Sequence, residues 1–330
     1  MHRNSEPLAS VRLPVADPPT NDLPLNSSLF ETIACPLCGS AEFDVVKPAR
    51  YGADLTAEKL RKTYSASSHD RLLDQVVRCR VCMLHYINPR PLAQLIIDSY
   101  SSAQDETYVE YMDDRIGSFQ RVLRRVLRIS GRPEARGRLL DVGCAAGACL
   151  AAAKTMGFDV SGVEPSSWLA AFGRRKYGID IRDGILEPGM FPKESADVIT
   201  LWDVLEHVPN PRALLELIQQ LLRPDGIFVV SYPDFHSVTG RLLGDRWPFW
   251  LGVHVLYYDK STIARQLRTC GFDVIGSFSY WPTLPFGYIL DRAIRHVPSL
   301  KFLGTLRDSP LGRMKLTYNA GQRVVVARRR

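Results

Sequence analysis

The segment Leu139-Leu140-Asp141-Val142-Gly143-Cys144-Ala145-Ala146-Gly147 constrains this chain more than any other. An apolar run that can form a buried strand ends in an acid, and a turn of small residues follows. Ala148-Cys149-Leu150-Ala151-Ala152-Ala153-Lys154 then reads as the first turns of a helix. A strand, a tight turn and a helix N-terminus make a nucleotide-sized site, because the helix end presents unpaired N–H groups. Glycine in the turn lets the backbone approach a ligand that a Cβ would hold off. The spacing is not the G-x-G-x-x-G of dinucleotide sites, which argues against a nicotinamide-dependent oxidoreductase. Here the acid stands two residues before the first glycine, an arrangement suited to a ligand carrying positive charge.

Further strands follow in order. Phe158-Asp159-Val160-Ser161-Gly162-Val163 reads as a second strand ending at Glu164-Pro165-Ser166. An acid roughly 20 residues beyond the first strand can offer two oxygens to two vicinal ribose hydroxyls. Ala196 to Trp202 reads as a fourth strand, leading into Asp203-Val204-Leu205-Glu206-His207-Val208-Pro209. Leu214, Leu215, Ile218, Leu221 and Leu222 carry helical periodicity, and Pro224-Asp225-Gly226 is expected to turn the chain into the strand Ile227–Ser231. Arg323 to Ala327 reads as the last strand of the sheet.

These blocks resemble class I S-adenosylmethionine-dependent methyltransferases over roughly residues 138–280: the D-x-G-x-A-x-G turn, the "DVLEHV" block and an L-x-P-x-G-x-h-h-h-S block. The resemblance implies an α/β fold, a Rossmann-like seven-stranded sheet with helices on both faces. It also implies S-adenosylmethionine as cofactor, held by Asp141, Gly143, Ala145, Gly147, Glu164, Pro165, Gly184, Ile185, Asp203 and Val204. Two positions depart from the family pattern. Ala145 replaces its middle glycine, and Ile185, after Gly184, stands where an acid meets the adenine amino group in many relatives, so that Ile185 would pack on the adenine face. In such enzymes the sulfonium methyl is the electrophile, and a hydroxyl acceptor needs its proton removed. His207, at the end of the fourth strand, is the first candidate base. His254, in Gly252-Val253-His254-Val255-Leu256-Tyr257-Tyr258, is the second, from its likeness to a recurrent H-L-x-x-F/Y block.

Cysteine spacing defines a second unit. Cys35-x2-Cys38 and Cys79-x2-Cys82 can supply four thiolates to one tetrahedral ion, which favours Zn²⁺; redox pairs or unrelated buried thiols are the alternatives. The long interval between the pairs is expected to contain a helix, Ala57 to Tyr64. Cys144, Cys149 and Cys270 read as small core residues. Leu84-His85-Tyr86-Ile87-Asn88-Pro89-Arg90-Pro91 and then Tyr100, Tyr108 and Tyr111 follow. That order resembles a bacterial methyltransferase subgroup with an N-terminal four-cysteine zinc ribbon, whose members modify sugars, polysaccharide intermediates or small metabolites. There the zinc unit is structural, and His85 is expected to be packed or exposed rather than a ligand.

The 330 residues divide into a proline-rich disordered leader (1–30), a small zinc-ribbon module (31–100), the methyltransferase domain (101–280) and a basic C-terminal extension containing the last strand (281–330). Ile116, Phe119, Leu123, Val126 and Leu127 form one face of a helix expected to cover the sheet, with arginines on a solvated face. The absence of a secretory segment or a long apolar run points to a cytoplasmic protein. Much of the net charge of +7 lies in Arg292, Arg295, Lys301, Arg307, Arg313, Lys315, Arg323 and Arg328-Arg329-Arg330. Such a run reads as a soluble surface, a peripheral contact with an anionic membrane, or a site for a charged acceptor. Ser279 to Leu290, aromatic and apolar, reads as a cover over the acceptor pocket or a membrane-touching loop. The expected acceptor is a small molecule, sugar, or polysaccharide or glycolipid intermediate. An RNA methyltransferase gripping phosphates with ribbon and tail is the first alternative, disfavoured because Trp202-Asp203-Val204-Leu205 is not an N/D-P-P-Y/F box. A non-catalytic zinc-ribbon protein with a degenerate cofactor site is the second.

Overall fold

Burial on both faces sets the architecture. The structure, a computed structural model, describes residues 29–52, 55–65, 68, 70–101, 104–132, 134–296 and 298–330. The expected leader thus lies outside the described residues except at its end, where Phe30–Glu31 pairs with Arg90–Pro91. Seven strands form one mixed sheet: β1 (Arg138–Val142), β2 (Asp159–Glu164), β3 (Asp180–Asp183), β4 (Ala196–Trp202), β5 (Leu222–Pro233), β6 (Phe272–Ser279) and β7 (Gln322–Arg329). Their order is β6-β7-β5-β4-β1-β2-β3. β1 to β5 run parallel, and β7 inserts antiparallel between β5 and β6. The chain moves outward from β1 to β3, then returns to lay β4 against the other side of β1. Open α/β sheets bind ligands at the carboxyl ends of the strands at such a reversal.

Successive residues of β1 face opposite layers. Leu139 joins Val198, Val229, Val324 and Val326 in a core with α1 (Met112–Ser130), α2 (Ala148–Met156) and α3 (Ser167–Tyr177). Leu140 and Val142 join Ile199, Leu201, Phe228 and Val230 in a core with α4 (Pro211–Leu221) and α5 (Lys260–Thr269). Local chemistry fixes the helix ends. Ser166 caps α3 by accepting from the Leu169 N–H, Asn210 caps α4 ahead of Pro211, and Asp259 and Thr262 form a capping box on α5. α1 ends at Gly131, in the left-handed region at φ 73°.

The expected α1 face is buried at Phe119, Leu123, Val126 and Leu127. Its arginine face is solvated at Arg124 and Arg128 but not at Arg115, which lies in the aromatic cluster described below. Pro224–Gly226 do not end one element and begin another; they lie within β5, where the register with β4 shifts between Leu222 and Ile227.

The cysteine unit is knitted to the large domain. Phe43–Lys47, Val76–Cys79 and His85–Ile87 form an antiparallel sheet whose fourth strand, Leu256–Tyr257, comes from the segment before α5. The expected helix is present at Ala57–Thr63, and its core shares one apolar cluster with the α4–α5 face of the large sheet. The basic C-terminal segment folds back through α6 (Phe286–His296), and many of its cations meet acids: Arg292 with Asp105, Arg307 with Glu110, Lys315 with Asp114, Arg329 with Glu194 and Arg330 with Asp273. Among the described residues no helix is long and apolar enough to cross a membrane.

Candidate functional site

The turn after β1 is held from both sides. The Gly143 and Cys144 N–H groups donate to the Val163 carbonyl at the end of β2, and Gly147 closes the turn onto the Cys144 carbonyl. Gly143 sits at φ 72°, and a Cβ there would lie 2.6 Å from Cγ2 of Val204. Only glycine fits that crossing of the first and fourth strand ends. Ala145 also adopts positive φ, 48°, an uncommon conformation for a side-chain-bearing residue. Gly147 caps α2 with no side-chain bond, so the first N–H groups of that helix face the turn.

Three carboxyl groups at the ends of β1, β2 and β4 surround this turn. Asp141 accepts from the Thr200 hydroxyl at 2.5 Å. Glu164 accepts from the Ala145 N–H at 2.8 Å and the Ser166 N–H at 2.9 Å, which ties the turn to the start of α3. A carboxylate has about four lone-pair positions, so two remain for further donors. Asp203 accepts from the Ser231 hydroxyl at 2.8 Å and from the Gln322 amide, and is itself at φ 54°. Burial raises all three: Asp141 to about 8, Glu164 to about 7 and Asp203 to about 6. Such a cluster of desolvated acids is complementary to a cationic ligand with hydroxyl donors.

Gly184, at φ 109°, and Ile185 lie just beyond β3, and Ile185 is 41% exposed. Val204 packs on the Gly143 crossing, and Pro165 links Glu164 to the α3 cap. The structure therefore gathers Asp141, Gly143, Ala145, Gly147, Glu164, Asp203 and Val204 at the turn, with Gly184 and Ile185 at its outer edge. The Gly184 N–H donates to the Glu164 carbonyl, which links that edge to the turn.

Preceding helices roof the site. Tyr100, from Ala93–Ser101, places its ring 5.5 Å from that of His207, and its hydroxyl is kept un-ionised by burial and by the charges of Glu164, Glu206 and Asp203. Arg115 lies between the rings of Tyr108 and Tyr288, 4.4 and 5.1 Å from their centroids, and donates to the Tyr288 hydroxyl at 2.9 Å. Its Nε is buried without a partner. The Ser279–Leu290 segment thus contributes to this wall through Tyr288, whereas Trp281 is largely exposed. Sequence reasoning singled out Tyr100 and Tyr108 only as a tyrosine-rich stretch and assigned Arg115 to solvent. Thr200 and Glu206 were also missed as site residues; Glu206 lies inside the block that supplied Asp203 and His207.

His207 and His254 meet edge to face with centroids 4.7 Å apart. His207 Nδ1 lies 3.0 Å from the Val253 carbonyl, and His254 Nδ1 2.9 Å from that of Phe249. Burial lowers His207 to about 4, and burial together with His207 lowers His254 well below the usual imidazole range. Both rings are therefore neutral at physiological pH.

The four sulfurs of Cys35, Cys38, Cys79 and Cys82 lie within 4.8 Å of one another, with Cys35–Cys82 at 3.4 Å and Cys38–Cys79 at 3.5 Å. A tetrahedron with bonds of about 2.3 Å has edges near 3.8 Å, so this spacing fits a zinc tetrathiolate and not a disulfide of about 2.05 Å. Cys144, Cys149 and Cys270 are buried free thiols, as expected. His85 packs edge to face on Phe235.

A family model described as a methyltransferase domain matches residues 108–276. A ubiquinone biosynthesis O-methyltransferase of Rhodopseudomonas palustris (strain TIE-1) is 32% identical over 139 residues, covering 40% of this chain and 54% of that protein. One of the same name from Bradyrhizobium sp. (strain ORS 278) is 30% identical over 157 residues, with 46% and 53% covered. The chain spans about half the length of the curated relatives it matches. Among solved structures, a SAM-dependent methyltransferase from Thermotoga maritima, described as a possible histamine N-methyltransferase, is 19% identical with a TM-score of 0.46, covering 68% of this chain and 94% of its own.

Proposed function

We propose, from the premise that this chain belongs to the methyltransferase-domain family, that it binds S-adenosylmethionine at the Asp141–Gly147 turn and transfers its methyl group to a hydroxyl of a small molecule. The observation that carries this reading is the ring of three desolvated carboxyl groups, Asp141, Glu164 and Asp203, around a turn too close for a Cβ at Gly143. A ligand with a sulfonium, an ammonium and two vicinal hydroxyls answers that ring: positive charge restores the ionised state, and the free lone pairs of Glu164 accept the ribose donors. Ile185 offers the apolar surface for the adenine, in place of an acid.

In the transfer, the acceptor oxygen attacks in line with the S–CH3 bond. The O–CH3 bond would form as the S–CH3 bond breaks, its electron pair staying on sulfur to leave a neutral thioether, and the hydroxyl proton would pass to solvent. Positioning supplies much of the rate in such a displacement. The residues available for it are the Tyr100, Tyr108 and Arg115 wall on one side and the neutral imidazoles of His207 and His254 on the other. The names of the curated relatives support oxygen as the acceptor atom. Sugars and glycolipid intermediates are the first acceptors to assay, beside hydroxylated quinone precursors. Zn²⁺ at Cys35, Cys38, Cys79 and Cys82 holds the small module together, and so fixes Leu256–Tyr257, which follow His254. The test is transfer of labelled methyl from S-adenosylmethionine across that panel. Turnover of a hydroxylated acceptor supports the reading, and cofactor binding without transfer to any member opposes it.

A further inference from the structure

Beside the cofactor turn lies a buried carboxyl group that the methyl-transfer reading leaves unexplained. Glu206 is 1% exposed, and neither of its carboxyl oxygens has a hydrogen-bond partner. Protonation alone does not settle the group, since a neutral acid still buries an O–H and a carbonyl that need partners. What lies next to it is a pair of imidazoles. One ligand atom each from Glu206, His207 and His254 falls within 4.8 Å of the others.

The tautomers are set by the backbone. A carbonyl can only accept, so the Nδ1 atoms facing the Val253 and Phe249 carbonyls carry the protons. With that proton on Nδ1, the Nε2 of each ring keeps a lone pair that a cation can take. Imidazoles fixed through Nδ1–H to a carbonyl are the usual form of metal-ligating histidine. The Val255 N–H also donates to the Glu206 carbonyl, so the segment carrying His254 is pinned to the short helical turn Leu205–His207.

We propose that Glu206, His207 and His254 bind a divalent first-row transition cation, separate from the four-cysteine site, which holds the acceptor hydroxyl beside the cofactor methyl. One carboxylate and two neutral nitrogens form a donor set for Mn²⁺, Fe²⁺, Co²⁺ or Zn²⁺ and leave coordination positions for the acceptor. The cation gives the two orphaned oxygens of Glu206 a partner. It also lowers the pKa of a bound hydroxyl, so that the acceptor oxygen ionises where it is held. The catalytic part of this inference rests on the methyl-transfer reading; the metal site itself does not.

Mn²⁺ is the probe, because it prefers oxygen and nitrogen donors to a tetrathiolate. The full chain, with zinc in its cysteine site, is titrated with Mn²⁺ and free Mn²⁺ is followed by electron paramagnetic resonance. Binding of one equivalent is expected, weakened about tenfold or more in Glu206→Gln and in His254→Gln. Zinc content and the far-ultraviolet circular dichroism spectrum, unchanged in the same variants, establish that they fold. If Glu206→Gln does not fold, His207→Gln, at a half-buried position, replaces it. No Mn²⁺ uptake by the wild type up to about 1 mM, or uptake equally tight in the variants, overturns the site. Failure of cofactor binding with Mn²⁺ uptake intact would instead count against the methyl-transfer reading alone.

Discussion

Replacing Glu164 by Gln separates the role of its charge from that of its shape. Two backbone donors, the N–H groups of Ala145 and Ser166, already point at its two oxygens. An amide keeps one acceptor oxygen, so the –NH2 faces one of these donors or displaces it. At the same time one of the two ribose bonds changes from charged to neutral or is lost. A hydrogen bond to a charged group is worth about 1.5–3 kcal/mol, so the dissociation constant for S-adenosylmethionine should rise about 10- to 100-fold. The pH profile is the sharper part. Burial raises Glu164 to about 7 in the free protein, and the cation in the bound cofactor favours its ionised form. Binding therefore releases a proton and strengthens as pH rises through that value. For one such group the affinity gain between about pH 6 and pH 8 is roughly tenfold, or about 1.4 kcal/mol. Isothermal titration calorimetry in buffers of different ionisation enthalpy measures both the constant and the proton count. The variant should lose this tenfold component, keeping only what Asp141 and Asp203 contribute. A wild-type affinity that is flat or falls with rising pH, or a variant that binds within twofold of the wild type, would refute the assignment of Glu164.

Other expectations follow from the same contacts. Asp141, Glu164, Asp203 and Asp74 are all raised by burial, to about 8, 7, 6 and 6, above their unfolded values near 4. The stability that they give is present below about pH 4 and lost as pH rises through 6 to 8. Urea denaturation of the cofactor-free protein should thus show a fall of at least about 2 kcal/mol from pH 5.5 to 8.5, with S-adenosylmethionine restoring more at the higher pH. Gly143→Ala places a methyl 2.6 Å from Val204 at φ 72°, and should cost about 1–3 kcal/mol in stability and remove cofactor binding in calorimetry. Cys79→Ser takes one buried thiol from the four-sulfur cluster; bound zinc by mass spectrometry should fall well below one per chain, and thermal unfolding should begin earlier. Leu123→Ala, buried between α1 and the sheet, should cost about 2–5 kcal/mol while leaving the cofactor constant of the folded fraction unchanged.

The parts of the fold legible in the sequence are those set by local pattern. β1, β2 and β4 are short apolar runs that end in the acids of the site, and the Cys35–Cys38 and Cys79–Cys82 pairs carry their geometry in their spacing. Non-local pairing is what the pattern leaves open. Nothing in Gln322–Arg329 says that it inserts between β5 and β6, and nothing in Leu256–Tyr257 says that it completes the sheet of the cysteine unit. The same holds for the roof. Arg115 sits on an amphipathic helix among arginines that do face solvent, and only the approach of Tyr108 and Tyr288 distinguishes it. Glu206 looks like a surface acid in a helical turn, and becomes a site residue because the segment carrying His254 closes over it.

The central claim is that the Asp141–Gly147 turn is the cofactor site, and a crystal structure of the complex with S-adenosylhomocysteine tests it most directly. The account predicts the adenosyl group against Ile185, the ribose hydroxyls within hydrogen-bond distance of Glu164 and the sulfur near Asp203, on the side facing His207. Ligand density elsewhere, or ribose hydroxyls that bypass Glu164, would contradict it.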